Sequence, residues 1–96
     1  MGLYFMFGKY TSDGLQDMSA KRTSDSVHLI KKFRGEVKGI YSLLGEHDLV
    51  IIAELPGAEE AVKASVTLGR QTGISFRTSP AFPVEVFDKM LDDIER

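Results

Sequence analysis

An α+β fold of βαββαβ order, with a sheet that needs a second copy to cover one face, is predicted by three observations. Leu3 to Phe7 and Leu49 to Leu55 are apolar on both strand faces, the pattern of central strands. Glu36 to Leu44 and Ile74 to Ser79 alternate instead, as strands with one wet face do. Between these strands lie segments of helical spacing. The 96 residues fit one domain spanning 1–96, with a narrow margin for burying a core that association would widen.

Taken in order, the first strand places Leu3, Phe5 and Phe7 on one face and Tyr4 and Met6 on the other; which face meets the helices is open, because both are apolar. Thr11-Ser12-Asp13-Gly14 supplies side-chain oxygens for the first free amides of a helix. The helical region that follows runs to about Phe33. Leu15, Met18, Leu29, Ile30 and Phe33 hold its apolar spacing, but Ser19 to Ser26 is polar, so a break with Ser19 as a second N-cap is expected. Gly35 fits a C-terminal stop.

In the second strand Val37, Gly39, Tyr41 and Leu43 fall on one face and Lys38 and Ser42 on the other. Gly45-Glu46-His47-Asp48 makes a tight connection to the third strand, which Pro56-Gly57 ends. A helix from Ala58 to Gly69 carries Ala58, Ala61, Val62, Ser65, Val66 and Gly69, small or apolar residues that allow close approach to a sheet. In the last strand Ile74, Phe76 and Thr78 oppose Ser75, Arg77 and Ser79 until Pro80 interrupts it. Behind Pro83, Phe87, Met90, Leu91 and Ile94 form the apolar stripe of a C-terminal helix, with Asp88, Asp92 and Asp93 toward water.

Right-handed crossovers joining these elements give a four-stranded antiparallel sheet of order 4-1-3-2, the ferredoxin-like arrangement, with the two doubly apolar strands in its middle. Its helices cover one face. Leaving the central strands' other face in water forgoes roughly 1.5–3 kcal/mol per large side chain, and a second subunit's sheet is the economical cover. A homodimer or higher homo-oligomer is therefore expected.

Composition narrows the function classes. Without cysteine there is no disulfide, thiolate metal site or thiol nucleophile. The apolar opening Gly2 to Gly8 is too short to span a bilayer, so no membrane association is expected, and a cytoplasmic location follows from nothing pointing outside the cell. A net charge of −2 argues against a nucleic-acid footprint. The charge is uneven: residues 1–39 carry seven Lys/Arg against four Asp/Glu, and residues 40–96 five against ten. Such asymmetry either solvates two faces or aligns subunits.

Ile40-Tyr41-Ser42-Leu43-Leu44-Gly45-Glu46-His47-Asp48-Leu49-Val50, together with the opening strand, Thr11-Ser12-Asp13-Gly14, Lys21-Arg22, Glu54-Leu55-Pro56, Arg77-Thr78 and Ala81-Phe82, resembles the GYD-domain family of small proteins. The resemblance covers nearly the whole chain and implies a dimeric α/β barrel of face-to-face ferredoxin-like sheets. The family's hairpin tyrosine is His47 here, so no role of that tyrosine carries over. The Gly-x-x-Asp hairpin also looks like that of ligand-binding domains in leucine-responsive and asparagine-type regulators, and related barrels include small monooxygenases and haem enzymes. A shared fold selects none of these functions.

Six residues stand out as ligand-binding candidates: Tyr4, Arg22, Tyr41, His47, Asp48 and Arg77. Adjacent strand residues diverge, so His47 and Asp48 are not an acid–base dyad; Asp48 is read as a turn acceptor or a ligand contact at the barrel mouth. Arg22 needs a partner if buried, with Asp48 or Glu54 as candidates, or else it binds an anion. Tyr4 and Tyr41 are read as core aromatics or as phenols sharing a cavity between sheet and helices. Arg77 is a solvated edge residue or part of an anion site. His28 has Lys31 and Lys32 at i+3 and i+4, which does not suit a metal. No catalytic residue, metal or cofactor is expected. The leading reading is an oligomeric sensing or regulatory domain holding a small, partly apolar ligand in or beside the inter-subunit barrel. The alternatives are a small cofactor-independent enzyme using His47, Tyr41 or Arg22, and a structural assembly module.

Overall fold

Alternation along the first strand decides which side of the sheet the helices cover. In β1 (Gly2–Tyr10) of the computed structural model, which describes residues 1–16 and 19–95, Tyr4, Met6 and Gly8 are buried and Leu3, Phe5 and Phe7 only half-buried. Tyr4 and Met6 join Ile51, Ala53 and Leu55 of β3 (Leu49–Leu55) in a core closed from above by helices. The face left open by the sequence is thus assigned: Leu3, Phe5 and Phe7 point away from the helices.

The remaining elements are α1 (Ser12–Gln16), α2 (Ala20–Lys32), β2 (Glu36–Ser42), α3 (Ala58–Thr72), β4 (Ile74–Ala81) and α4 (Val84–Ile94). All strands pair antiparallel in the order β2-β3-β1-β4, the predicted order read from the other edge. β4 continues through Pro80, which stands opposite Tyr4, rather than stopping there; an edge strand tolerates the missing N–H.

Helix boundaries follow local chemistry. Thr11 Oγ1 accepts from the Gly14 amide at 3.1 Å and donates to the Gly73 carbonyl. Ser19 Oγ accepts from the Arg22 amide at 3.1 Å, so the expected break and second cap are both present. Leu15 is exposed rather than part of an inward stripe, and Met18 lies outside the described residues. At the end of α2 the left-handed residue is Arg34 (φ 64°), not Gly35. Gly35 is needed for space: a Cβ there would lie 2.5 Å from Leu55 Cδ2 and 2.7 Å from the Glu54 carbonyl oxygen.

The α3 helix runs three residues past Gly69 and stops at Gly73, whose φ of 72° and N–H bond to the Gly69 carbonyl form the cap. Its inward stripe is Ala61, Ala64, Leu68 and Thr72, while Val62 and Val66 face outward. The sequence stripe was rotated because small residues occur all round this helix. Ser65 Oγ bonds Thr78 Oγ1 at 2.6 Å, tying α3 to β4.

One irregularity rearranges β2. Val37 pairs with Ala53 but Gly39 pairs with Ile52, a register shift that inserts a bulge. Val37 and Ile40 therefore pack on the core, and Gly39 and Tyr41 share the opposite face, where strict alternation had grouped Val37, Gly39 and Tyr41. Beside the bulge, Lys38 Nζ lies 3.5 Å from Glu36 and 3.6 Å from Glu54. Glu36 first, then Glu54, holds its ammonium above the usual lysine range.

The α4 helix buries no residue. Of the predicted apolar stripe, Phe87 and Ile94 are at least half exposed and Met90 and Leu91 are half-buried.

Candidate functional site

The helix-free face of the sheet carries a row of side chains at one register. Tyr41 of β2 pairs with Val50 of β3, Val50 with Phe7 of β1, and Phe7 with Arg77 of β4. Residues at matched positions in paired strands project to the same side. Val50, set between Tyr41 and Phe7, is buried, whereas Tyr41 and Arg77 are exposed. His47 joins this row from the hairpin loop: its ring stacks on Phe7 with centroids 4.9 Å apart. Phe5 adds a tilted ring 6.2 Å from Phe7, and Ile52 lies opposite Phe5. The result is an aromatic and aliphatic floor with a phenol, an imidazole and a guanidinium around it.

The loop that delivers His47 is fixed by its neighbours. Gly45 has φ 126°, a conformation that L side chains rarely adopt. Asp48 bonds both within the turn, through its carbonyl, and beyond it, through its carboxylate. Its Oδ2 accepts from the Tyr10 amide at 2.7 Å, its own N–H donates to the Gly8 carbonyl at 2.9 Å, and its carbonyl accepts from the Leu43 amide at 2.9 Å. Asp48 thereby anchors the β2–β3 hairpin to the far end of β1. Its carboxylate is engaged by the Tyr10 amide of β1.

Tyr4 and Arg22 lie on the other side of the sheet. Tyr4 is in the core and borders an apolar groove of about 280 Å³ with Ala58, Val62, Val66 and Pro80. The β2 bulge puts Tyr41 on the opposite face, so the two phenols share no cavity. Arg22 pairs with neither Asp48 nor Glu54: it donates to the Gly14 carbonyl and its guanidinium carbon stands 5.8 Å from the Tyr10 ring centroid. Glu54 faces Lys38 instead. Arg22 and Tyr10 border a cavity of about 100 Å³ between α2 and the sheet. Tyr10 was missed because the strand was ended near Gly8; its parity with Tyr4, Met6 and Gly8 was the available signal.

The six candidates therefore divide into three groups. Tyr41, His47 and Arg77 gather on the open face, Tyr4 and Arg22 lie under the helices, and Asp48 ties strands together. An enzyme uniting His47, Tyr41 and Arg22 around one pocket is not what this geometry offers, since the sheet separates Arg22 from the other two. Among the described residues no group of three or more His, Cys, Asp or Glu side chains could hold a metal ion, and no helix is long and apolar enough to cross a membrane.

Among solved structures, the fold matches the leucine response regulatory protein LrpA of Mycobacterium tuberculosis with a TM-score of 0.57 and 13% identity, over 85% of this chain and 51% of that one. At that identity the match shows the fold alone, and this chain spans about half the length of that protein. No curated protein matches. The family model for the GYD domain matches residues 4–91, nearly the full length with the sheet and its hairpin included, and the chain belongs to the GYD domain family.

Proposed function

We propose that this chain is a sensing or regulatory module that works as a homodimer or higher homo-oligomer, with open sheet faces packed together as a barrel. A small, partly apolar ligand is held in or beside that barrel, and Tyr41, His47 and Arg77 are its polar contacts. The observation that carries this reading is the open face itself, where Leu3, Phe5, Phe7 and Ile52 remain half-buried while every packed helix sits on the other side. The likeness in fold to a leucine response regulatory protein supports a regulatory rather than a purely structural role.

Magnitudes indicate how tight the assembly is. Completing the burial of four large side chains gains about 1 kcal/mol each, about 8 kcal/mol for two protomers. Association costs on the order of 4–15 kcal/mol. The sheet faces alone come near break-even, and the exposed Phe87 and Ile94 of α4 are further apolar area that an assembly could cover.

Sedimentation velocity at low micromolar concentration tests the assembly: a dimer or larger species is expected, and a stable monomer overturns the reading. Thermal-shift screening against metabolites tests the ligand, since a molecule that binds only the folded assembly raises its melting temperature. An interface filled by its own side chains, with no stabilising metabolite, leaves assembly without sensing.

A further inference from the structure

The geometry points to a second site on the other side of the sheet: the cavity between α2 and the strands binds a small carboxylate with a short apolar body, with Arg22 as the anion-binding group. Its lining comes from α2 and from all four strands on the helix side of the sheet, away from the face proposed for assembly.

The chemistry of the cavity is divided. Its inner wall is apolar, formed by Ile51, Ile74 and Phe76, and its mouth carries Arg22, Tyr10 and Ser42. The wall closes because β1 has glycine at position 8. A Cβ there would lie 2.6 Å from Leu49 Cδ2 and 2.9 Å from Ile74 Cγ2, so these side chains lean over the strand where no β-carbon competes.

The charge at the mouth is equally distinctive. The first turn of α2 contains Lys21 and Arg22 and no acidic residue, placing two cations at the positive end of the helix dipole, where anions are favoured. Lys21 is paired with Asp25 at 2.9 Å. Arg22 reaches neither Asp25, which pairs with Lys21, nor Asp48 or Glu54, which are engaged elsewhere. A guanidinium has five N–H donors, of which the Gly14 carbonyl engages one. The Tyr10 ring holds the plane of charge at the cavity, leaving a fork suited to two carboxylate oxygens.

Size sets the body of the ligand. A cavity of roughly 150 Å³ accepts benzene; at about 100 Å³ this one takes a body of two or three carbons, with the carboxylate at the open end.

The test is a titration of the full chain, followed by amide chemical shifts, with acetate, propanoate, 2-methylpropanoate, hexanoate and the neutral 2-methylpropanamide at constant ionic strength. Saturable shifts at Tyr10, Arg22, Ser42 and Phe76 are expected, strongest for the three- and four-carbon acids and at least tenfold weaker for hexanoate and for the amide. Arg22→Lys keeps the charge without the fork and should weaken binding about tenfold; Arg22→Gln should abolish it. Thr23→Trp, an exposed position at the mouth, should block the acid without touching the core. Equal binding of the amide, undiminished binding by folded Arg22→Gln or by Thr23→Trp, or the absence of saturable shifts with any acid overturns the proposal.

Discussion

The imidazole of His47 lies on the Phe7 ring at 4.9 Å between centroids, with the planes inclined by 33°. A loop residue is thereby packed on the helix-free face, where the aromatic contact is worth about 0.5–1.5 kcal/mol beyond its area. His47→Ala should lower the unfolding free energy by about that amount in urea titrations, and His47→Tyr, which keeps a ring on Phe7, should stay within about 0.5 kcal/mol of the parent. An alanine variant as stable as the parent would show that the stacking contributes nothing.

Phe5 stands between Ile52 and Ser79 on the same face. Phe5→Asp places a charge where the proposed partner sheet packs, and burying an unpaired charge costs several kcal/mol. The variant should sediment as a monomer at concentrations where the parent is assembled, with its far-ultraviolet dichroism retained. A variant that remains dimeric would place the interface elsewhere.

Much of this architecture was legible because pattern and packing agree. Strands apolar on both faces had to be central, and the observed sheet places β1 and β3 there. The site was less legible. Tyr41 was grouped with Val37 because alternation carries no mark of a bulge, and the bulge flips every later residue of β2. Arg22 was given a carboxylate because a buried cation requires one, yet it is only half-buried and uses a carbonyl and a ring face instead. Asp48 read as a local turn residue because sequence spacing says nothing of Tyr10, 38 positions away.

That long-range bond gives a direct prediction. Asp48→Ala leaves the Tyr10 N–H without its acceptor in a part-buried place, at a cost of about 1–3 kcal/mol. Hydrogen exchange at the Tyr10 amide should accelerate along with the loss of global stability. Unchanged protection at Tyr10 would contradict the assignment.

Gly8→Ala should also destabilise, by about 1–3 kcal/mol, as overpacking does. The new methyl would meet Leu49, Ile74 and Phe76, all within 3.0 Å of the Cβ position. Thermal unfolding measures the loss, and a variant melting at the parent temperature would mean that these side chains have free room to retreat.

Ending the chain after Pro83 removes α4, none of whose residues is buried. The shortened chain should keep its unfolding free energy within about 1 kcal/mol when both proteins are monomeric, while its self-association weakens. Loss of the fold would show that α4 belongs to the core, and undiminished association would remove α4 from the interface.

Both outer strands of the sheet carry a stop. On β4 it is Pro80, which has no N–H to offer, and on β2 it is the bulge between Val37 and Gly39 with Lys38 beside it. Another strand approaching either rim meets a broken ladder, so the sheet offers no template for lengthening itself copy by copy. That matters for a chain whose central strands, rich in aromatic and β-branched residues, have the composition of fibril-forming segments. The proposed assembly would use the broad surfaces alone, and two surfaces that meet face to face exhaust each other; such an encounter would close, in numbers that can be counted, instead of propagating.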